Sequence, residues 1–375
     1  MTRISILLCF FFVVQTPLWS EAKLMTGIEG TKATREQPTL AKKDIPLQIR
    51  LMEKALQGGQ FQEVLQTAQL ILSADPHNLR ARTASVAARA GMGETDLFTA
   101  QKNALQKSTP DNPYLYLYTG QALLAADRFQ EAEKYFLKGI DQEQDNEELL
   151  MALARAYERN KQPDKARKYY AQVADKKDKK MQNFLNASFA ICRLDLAQKH
   201  YKQVLKRTNQ IIDLFPVLPQ AYILQAKAWL AQDQPDKALQ TYRKLLKNNP
   251  DILIPYKELA LLSIKQGNKT DQAVEIAQQA VDTFPDDPEA HDLCGWIYLK
   301  NKQLDKAGDS FEKALRLQPD NPVYLYHLGL LLMAQHDADG ARKNFHKALQ
   351  IQKDRTASPR FVEELNKKIR ELEQK

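Results

Sequence analysis

Prolines recur along this chain on a 34-residue spacing, and no feature of the sequence restricts its fold more. Pro76 and Pro110 are 34 apart, and Pro216, Pro250, Pro285 and Pro319 follow one another at 34, 35 and 34. The gap from Pro110 to Pro216 is 106 residues, three periods plus four. Other positions keep the same time. Gly295, Tyr298, Ala307, Phe311 and Ala314 reappear 34 residues on as Gly329, Leu332, Ala341, Phe345 and Ala348. Earlier copies are Gly120, Leu123, Ala132 and Phe136; Ala154, Tyr157, Ala166 and Tyr170; and Ala226, Trp229, Ala238 and Tyr242. A fixed period of this length marks stacked supersecondary units rather than independent domains.

Each slot has a physical task. A small residue in a first helix (Gly120, Ala154, Ala226, Ala260, Gly295, Gly329) lets a second helix cross closely. Its partner is the small residue twelve or thirteen positions on (Ala132, Ala166, Ala238, Ala273, Ala307, Ala341). The aromatic or apolar residue four positions later lies on the same helical face and fills the seam. The proline stops the second helix and turns the chain into the next unit. Only 13 of 375 residues are glycine, which argues for helices over a sheet-rich fold of tight turns. With 43% hydrophobic and 27% charged residues, a polytopic membrane protein is excluded.

These residues resemble the tetratricopeptide repeat, whose pattern places W-x2-L-G-x2-Y, then Ala, Phe and Pro within 34 residues. Nine repeats are expected, over 45–78, 79–112, 113–146, 147–180, 185–218, 219–252, 253–287, 288–321 and 322–355. The second and fifth depart most, with Phe98 and Val204 in the slot usually held by alanine. Residues 356–375 place Phe361, Leu365, Ile369 and Leu372 along one face, as a solvating C-terminal capping helix should. The fold class is therefore all-α. The resemblance implies a right-handed superhelical solenoid of about one turn, with first helices lining its concave side.

Ahead of the repeats, residues 1–22 read as a signal peptide: Arg3, the apolar run Ile4 to Val14, and small residues Ser20 and Ala22, giving a mature start at Lys23. The run rises about 16 Å as a helix, half a bilayer core, which disfavours a spanning anchor. Cys9 follows Leu8 inside the run, so lipid attachment is not supported. Residues 23–44 have no sustained apolar period and are expected to be a disordered leader. Cys192 and Cys294 lie three repeats apart, too far for a disulfide, and read as small buried residues.

No catalytic signature appears. None of His77, His200, His291, His327, His336 and His346 forms an H-x-x-x-H pair, and no H-E-x-x-H, G-x-S-x-G, P-loop or dinucleotide fingerprint occurs. Glu147 with Glu148, and Asp286 with Asp287, stand at helix starts, where carboxylates favour the dipole. Repeats account for the chain from Ile45 onward, so neither an enzyme nor a cofactor or metal is expected.

Formal net charge is +8, and it is concentrated. Residues 161–207 hold thirteen lysines and arginines against four aspartates, a surplus of nine, so everything else sums to about −1. The stretch straddles the four-residue slip in the period, around Lys176, Lys177, Lys179 and Lys180. It reads either as a solvated face or as a belt for an anionic glycan, lipid head groups or an acidic protein surface. Projected on the family's groove-lining positions, the register implies a second set of cations, Arg155, Arg193, Lys227 and Lys257. Aromatic and apolar neighbours there are Tyr114, Leu117, Met151, Phe189, Ile223, Trp296 and Tyr326. Such a groove suits an acidic or amphipathic peptide. Relatives that clamp the acidic tails of heat-shock chaperones use asparagines there as well. Asparagine is missing at Arg155, Arg193 and Lys227, so that clamp is not expected. The reading favoured is an exported, non-enzymatic interaction scaffold of the bacterial periplasm, serving an assembly, secretion or polysaccharide-export machine. The alternative is a direct binder of an anionic glycan or lipid surface through residues 161–207. No nucleic-acid partner is expected.

Overall fold

The computed structural model describes residues 40–176, 180–267, 270–353 and 358–374. The expected signal peptide and the leader as far as residue 39 lie outside the described residues. Residues 42–44 form a single 3-10 turn, and Leu40 already packs against the core, so helical order begins slightly before Ile45.

Among the described residues the chain is entirely helical, arranged as nine antiparallel hairpins and one further helix. The hairpins are α1 Ile45–Gln57 with α2 Phe61–Ala74, α3 Leu79–Met92 with α4 Thr95–Ser108, and α5 Tyr114–Ala125 with α6 Phe129–Gln142. Next come α7 Glu147–Arg159 with α8 Pro163–Ala174, α9 Met181–Ala197 with α10 Tyr201–Leu214, and α11 Pro219–Leu230 with α12 Pro235–Asn248. Then follow α13 Leu253–Lys265 with α14 Thr270–Thr283, α15 Pro288–Lys300 with α16 Leu304–Leu317, and α17 Pro322–Ala334 with α18 Ala338–Lys353; α19, Pro359–Glu373, closes the array.

The slots pack as their chemistry requires. Ala132, Ala166, Ala238, Ala273, Ala307 and Ala341 have no exposed surface. A methyl group on Gly120, Gly295 or Gly329 would sit 2.4, 2.6 or 2.5 Å from the rings of Phe136, Phe311 and Phe345, so these glycines are required by close approach. The periodic prolines stand just past the C-caps of second helices. The residue before each is held extended, as at Thr109 (φ −145°, ψ 78°) and Gln318 (φ −141°, ψ 83°). The two hairpins whose helices touch least are α3–α4 and α9–α10, where Phe98 and Val204 occupy the alanine slot; the third is α1–α2, where Val64 does. A larger side chain at the crossing point holds the helices apart.

The four extra residues before the fifth hairpin become an additional N-terminal turn of α9, which runs 17 residues. Within every hairpin the tight turn contains a residue at positive φ: Gly59, Gly93, Asp127, Lys161, Lys199, Asp233, Gly267, Lys302 and His336. Their spacing is 34 up to Lys161, 38 to Lys199, and 34 or 35 thereafter, so the backbone keeps the period that the prolines announce.

First helices form the inner layer. Successive first helices pack on one another (α1 on α3, α3 on α5, α5 on α7, α13 on α15, α15 on α17), and no two second helices pack comparably. Curvature is tightest at the N-terminal end. Alanine-rich α3 packs more closely on α5 than on its own partner α4, and α1 reaches past α3 to touch α5. Cys192 and Cys294 are buried free thiols. No helix among the described residues is long and apolar enough to cross a membrane.

Candidate functional site

Because first helices share the inner radius, every fourth or so side chain on each of them faces a common groove. At its N-terminal end the groove is partly filled by the protein itself. Glu53 of α1 accepts a hydrogen bond from the Tyr118 hydroxyl of α5, and Arg80 of α3 lies 3.4 Å from the same carboxylate. Burial, then that carboxylate, raises the Tyr118 phenol above its ordinary value. The Arg80 guanidinium also sits 4.8 Å from the centre of the Tyr114 ring. Tyr114, expected as a groove aromatic, is thus half-buried and already covered by a cation.

A pocket of about 220 Å³ opens beyond this cluster. Met151 and Leu117, both buried, form its apolar floor, and Arg155 stands exposed on its wall. The first two turns of α9 contribute Asn183 and Asn186 to the same pocket, and Asn183 donates to Glu147 at 2.5 Å. Register projection missed both: Asn183 belongs to the inserted residues 181–184, which have no counterpart in the repeat, and Asn186 stands about one turn ahead of the projected positions Phe189 and Arg193.

Farther along, Arg193 and Lys227 are exposed on α9 and α11, and like Arg155 they have no ion-pair partner among the described residues. Phe189 is half-buried and packs against the core rather than standing free. Lys257 departs from the expected series of free cations: its ammonium is paired with Glu289 of α15.

The C-terminal third holds a hollow of about 530 Å³, with Leu261, Leu293 and Trp296 among its lining residues. His327 Nδ1 lies 2.7 Å from Asp292 Oδ1, and its ring is 4.7 Å from that of Trp296. Lys300 Nζ is 4.3 Å from the Trp296 ring centre. Burial, then the carboxylates of Asp292, Glu289 and Asp287, raises the Tyr324 phenol. This end of the groove therefore combines an indole and aliphatic surface with an acidic rim. His327 and His291 stand in the first helices of neighbouring repeats. The two side chains diverge: His291 Nε2 lies 2.8 Å from the Pro285 carbonyl oxygen, where it braces a turn.

Tyr326 is not a groove residue. Its hydroxyl donates to Glu364 of α19 at 2.9 Å, and its ring contacts Phe345 and Phe361 at 5.7 and 5.5 Å between centres. The position that projection assigned to the groove is covered by the C-terminal helix, an element outside the repeat.

Arg193 apart, the described cations of the basic stretch lie on the second helices α8 and α10 and in the segments beside them. Lys176 is held by Asp145, 3.2 Å from its carboxylate and 2.6 Å from its carbonyl oxygen, and retains 21% exposure. Lys180 is exposed at the start of α9, while Lys177 and Lys179 lie outside the described residues. Arg207 pairs with Asp175 at 3.2 Å, and Arg167 with buried Asp195 at 2.8 Å.

Comparison with known proteins follows the same lines. Family models described as tetratricopeptide repeat match residues 123–187, 193–251 and 258–322, together half of the chain. Anaphase-promoting complex subunit 3 of Schizosaccharomyces pombe is 30% identical over 112 residues, 30% of this chain and 17% of that protein, so the match spans about a sixth of the relative's length. Among solved structures, a tetratricopeptide repeat protein from Parabacteroides merdae is 16% identical, with 77% of this chain and 99% of that one covered and a TM-score of 0.39. MamA is 18% identical over 44% of this chain and 95% of its own, with a TM-score of 0.36. Matched over half its length by the repeat's own models, and folded into nine hairpins of which six keep alanine at the helix crossing, the chain belongs to the tetratricopeptide repeat family.

Proposed function

We propose that this protein is an exported, non-enzymatic scaffold of a bacterial cell envelope, and that its concave face holds an amphipathic, partly acidic segment of a partner protein. Tetratricopeptide repeats support protein–protein interaction, and the groove's own chemistry supports the finer reading. One observation carries it: Arg155, Arg193 and Lys227 stand exposed and unpaired on successive first helices that lead to the hollow at Trp296. A segment with carboxylates toward its one end and an apolar anchor toward the other would satisfy both parts. Arg193 apart, the described cations of residues 161–207 lie on α8, on α10 and in the segments beside them. Export rests on Met1 to Ala22.

Affinity capture from native envelopes tests the reading. Arg155→Glu combined with Lys227→Glu should lose a protein partner that wild type and Lys202→Glu both retain. Equal capture by wild type and both variants, or loss only with Lys202→Glu, would place the interaction elsewhere.

A further inference from the structure

A pocket of about 360 Å³ opens on the outer side of the solenoid, between α8 and α10 with α9 beneath. It belongs to the fifth hairpin, where Val204 in the alanine slot keeps α10 off α9. It also sits inside residues 161–207, the one stretch that holds the chain's surplus charge. Arg167 forms one wall; Lys206, Arg207 and Gln210 form the other. Two acids hold the guanidiniums in place. Asp195, 1% exposed on the floor, has Oδ1 2.8 Å from Arg167 Nε and 3.4 Å from His200 Nδ1. Asp175, at the rim, accepts from both terminal nitrogens of Arg207 at 3.2 Å. Lys206 is exposed and has no ion partner among the described residues.

The donor and acceptor inventory narrows the ligand. A net positive pocket with one unengaged ammonium calls for an anionic group. Sulfate offers only acceptors, and inorganic phosphate at neutral pH has at most one or two P–OH donors on a compact anion that Asp175 and Asp195 would repel. An acidic sugar offers both: a carboxylate for Lys206, and hydroxyls that can donate to the carboxylate and amide oxygens of Asp175, Gln203 and Gln210. The cavity is of the size that small-molecule sites have. We propose that this outer pocket binds a uronic-acid residue of an anionic glycan, at a site separate from the groove, so that its failure would leave the groove reading standing.

Titration calorimetry of the mature chain in about 150 mM salt, where diffuse attraction is screened, tests it. The probes are trimers of galacturonate, mannuronate and glucuronate, a neutral galactose trimer, inorganic phosphate, and vesicles containing phosphatidylglycerol. At least one uronate trimer should bind, and neither the galactose trimer nor phosphate should. Lys206→Gln should weaken that binding about tenfold or more, as loss of a charged hydrogen bond does. Lys180→Gln and Lys202→Gln, which change equally exposed lysines outside the pocket, should stay within about twofold of wild type, with unchanged melting curves for all three. Binding of phosphate or vesicles but of no uronate, equal losses across the three variants, or no binding of any probe would overturn the assignment.

Discussion

Six of the nine hairpins turn on a residue other than glycine at φ between 55° and 65°: Asp127, Lys161, Lys199, Asp233, Lys302 and His336. An L-residue in that region costs about 1–2 kcal/mol, part of which glycine's larger unfolded-state entropy offsets. Lys302→Gly or His336→Gly should therefore raise stability by about 0.5–1 kcal/mol each, read as a shift in urea midpoint. The scarcity of glycine speaks correctly for helices, yet it hides these six tight turns, because nothing about an aspartate, lysine or histidine in a sequence marks a left-handed backbone. Buried cysteines carry a second expectation at this scale. Burial pushes the Cys192 thiol up to about 12 from its ordinary 9.0. Below pH 9 the thiol is protonated whether folded or not. Above it the unfolded chain ionises while the folded thiol stays neutral, so this contribution to stability is lost between pH 9 and about 12. Native protein at pH 8 should resist iodoacetamide at Cys192 and react once unfolded; rapid native labelling would contradict the burial.

At the scale of the helix, one slot governs how tightly a hairpin closes. Alanine there gives the closest pairs, and Val64, Phe98 and Val204 give the three loosest. Ala307→Val should overpack the α15–α16 crossing and cost about 1–3 kcal/mol, measurable as a lowered melting temperature. The C-terminal helix is held partly by one hydrogen bond, so Tyr326→Phe, which leaves Glu364 without its donor, should cost about 1 kcal/mol and speed proteolysis after residue 353. The repeat boundaries and the capping helix were legible because proline spacing and a 3.6-residue apolar stripe report directly on helix ends and faces. The destination of the four inserted residues was not. An insertion into a repeat can lengthen a loop or a helix, and only the structure, with Asn183 bonded to Glu147, shows that it lengthens α9 and brings Asn183 to the inner pocket.

Over the whole molecule, the two charge features separate by side. The free cations Arg155, Arg193 and Lys227 line the inner layer, whereas the other described cations of residues 161–207 lie on α8, on α10 and in the segments beside them, around a pocket. Register alone places a residue on a helix face, so the inner cations were readable. It says nothing of what a neighbouring element brings to that face. That is why the pairing of Lys257 with Glu289, the Arg80 cover on Tyr114 and the burial of Tyr326 beneath α19 escaped it. Nor does it report hollows, which depend on side-chain volumes summed across three or more helices; the space at Trp296 follows from that sum. Export makes its own prediction: protein recovered from the periplasm should begin at Lys23, and an intact Met1 on periplasmic protein would contradict the signal reading.

The concave face as the partner-binding surface is tested most directly by photo-crosslinking in living cells, with benzoylphenylalanine placed singly at Arg155, Arg193 and Lys227 on the inner layer and at Lys165, Lys202 and Lys244 on second helices. Crosslinks to a common protein partner from the three inner positions, and none from the outer three, are the expected result. A common partner captured only from the outer positions would contradict the account.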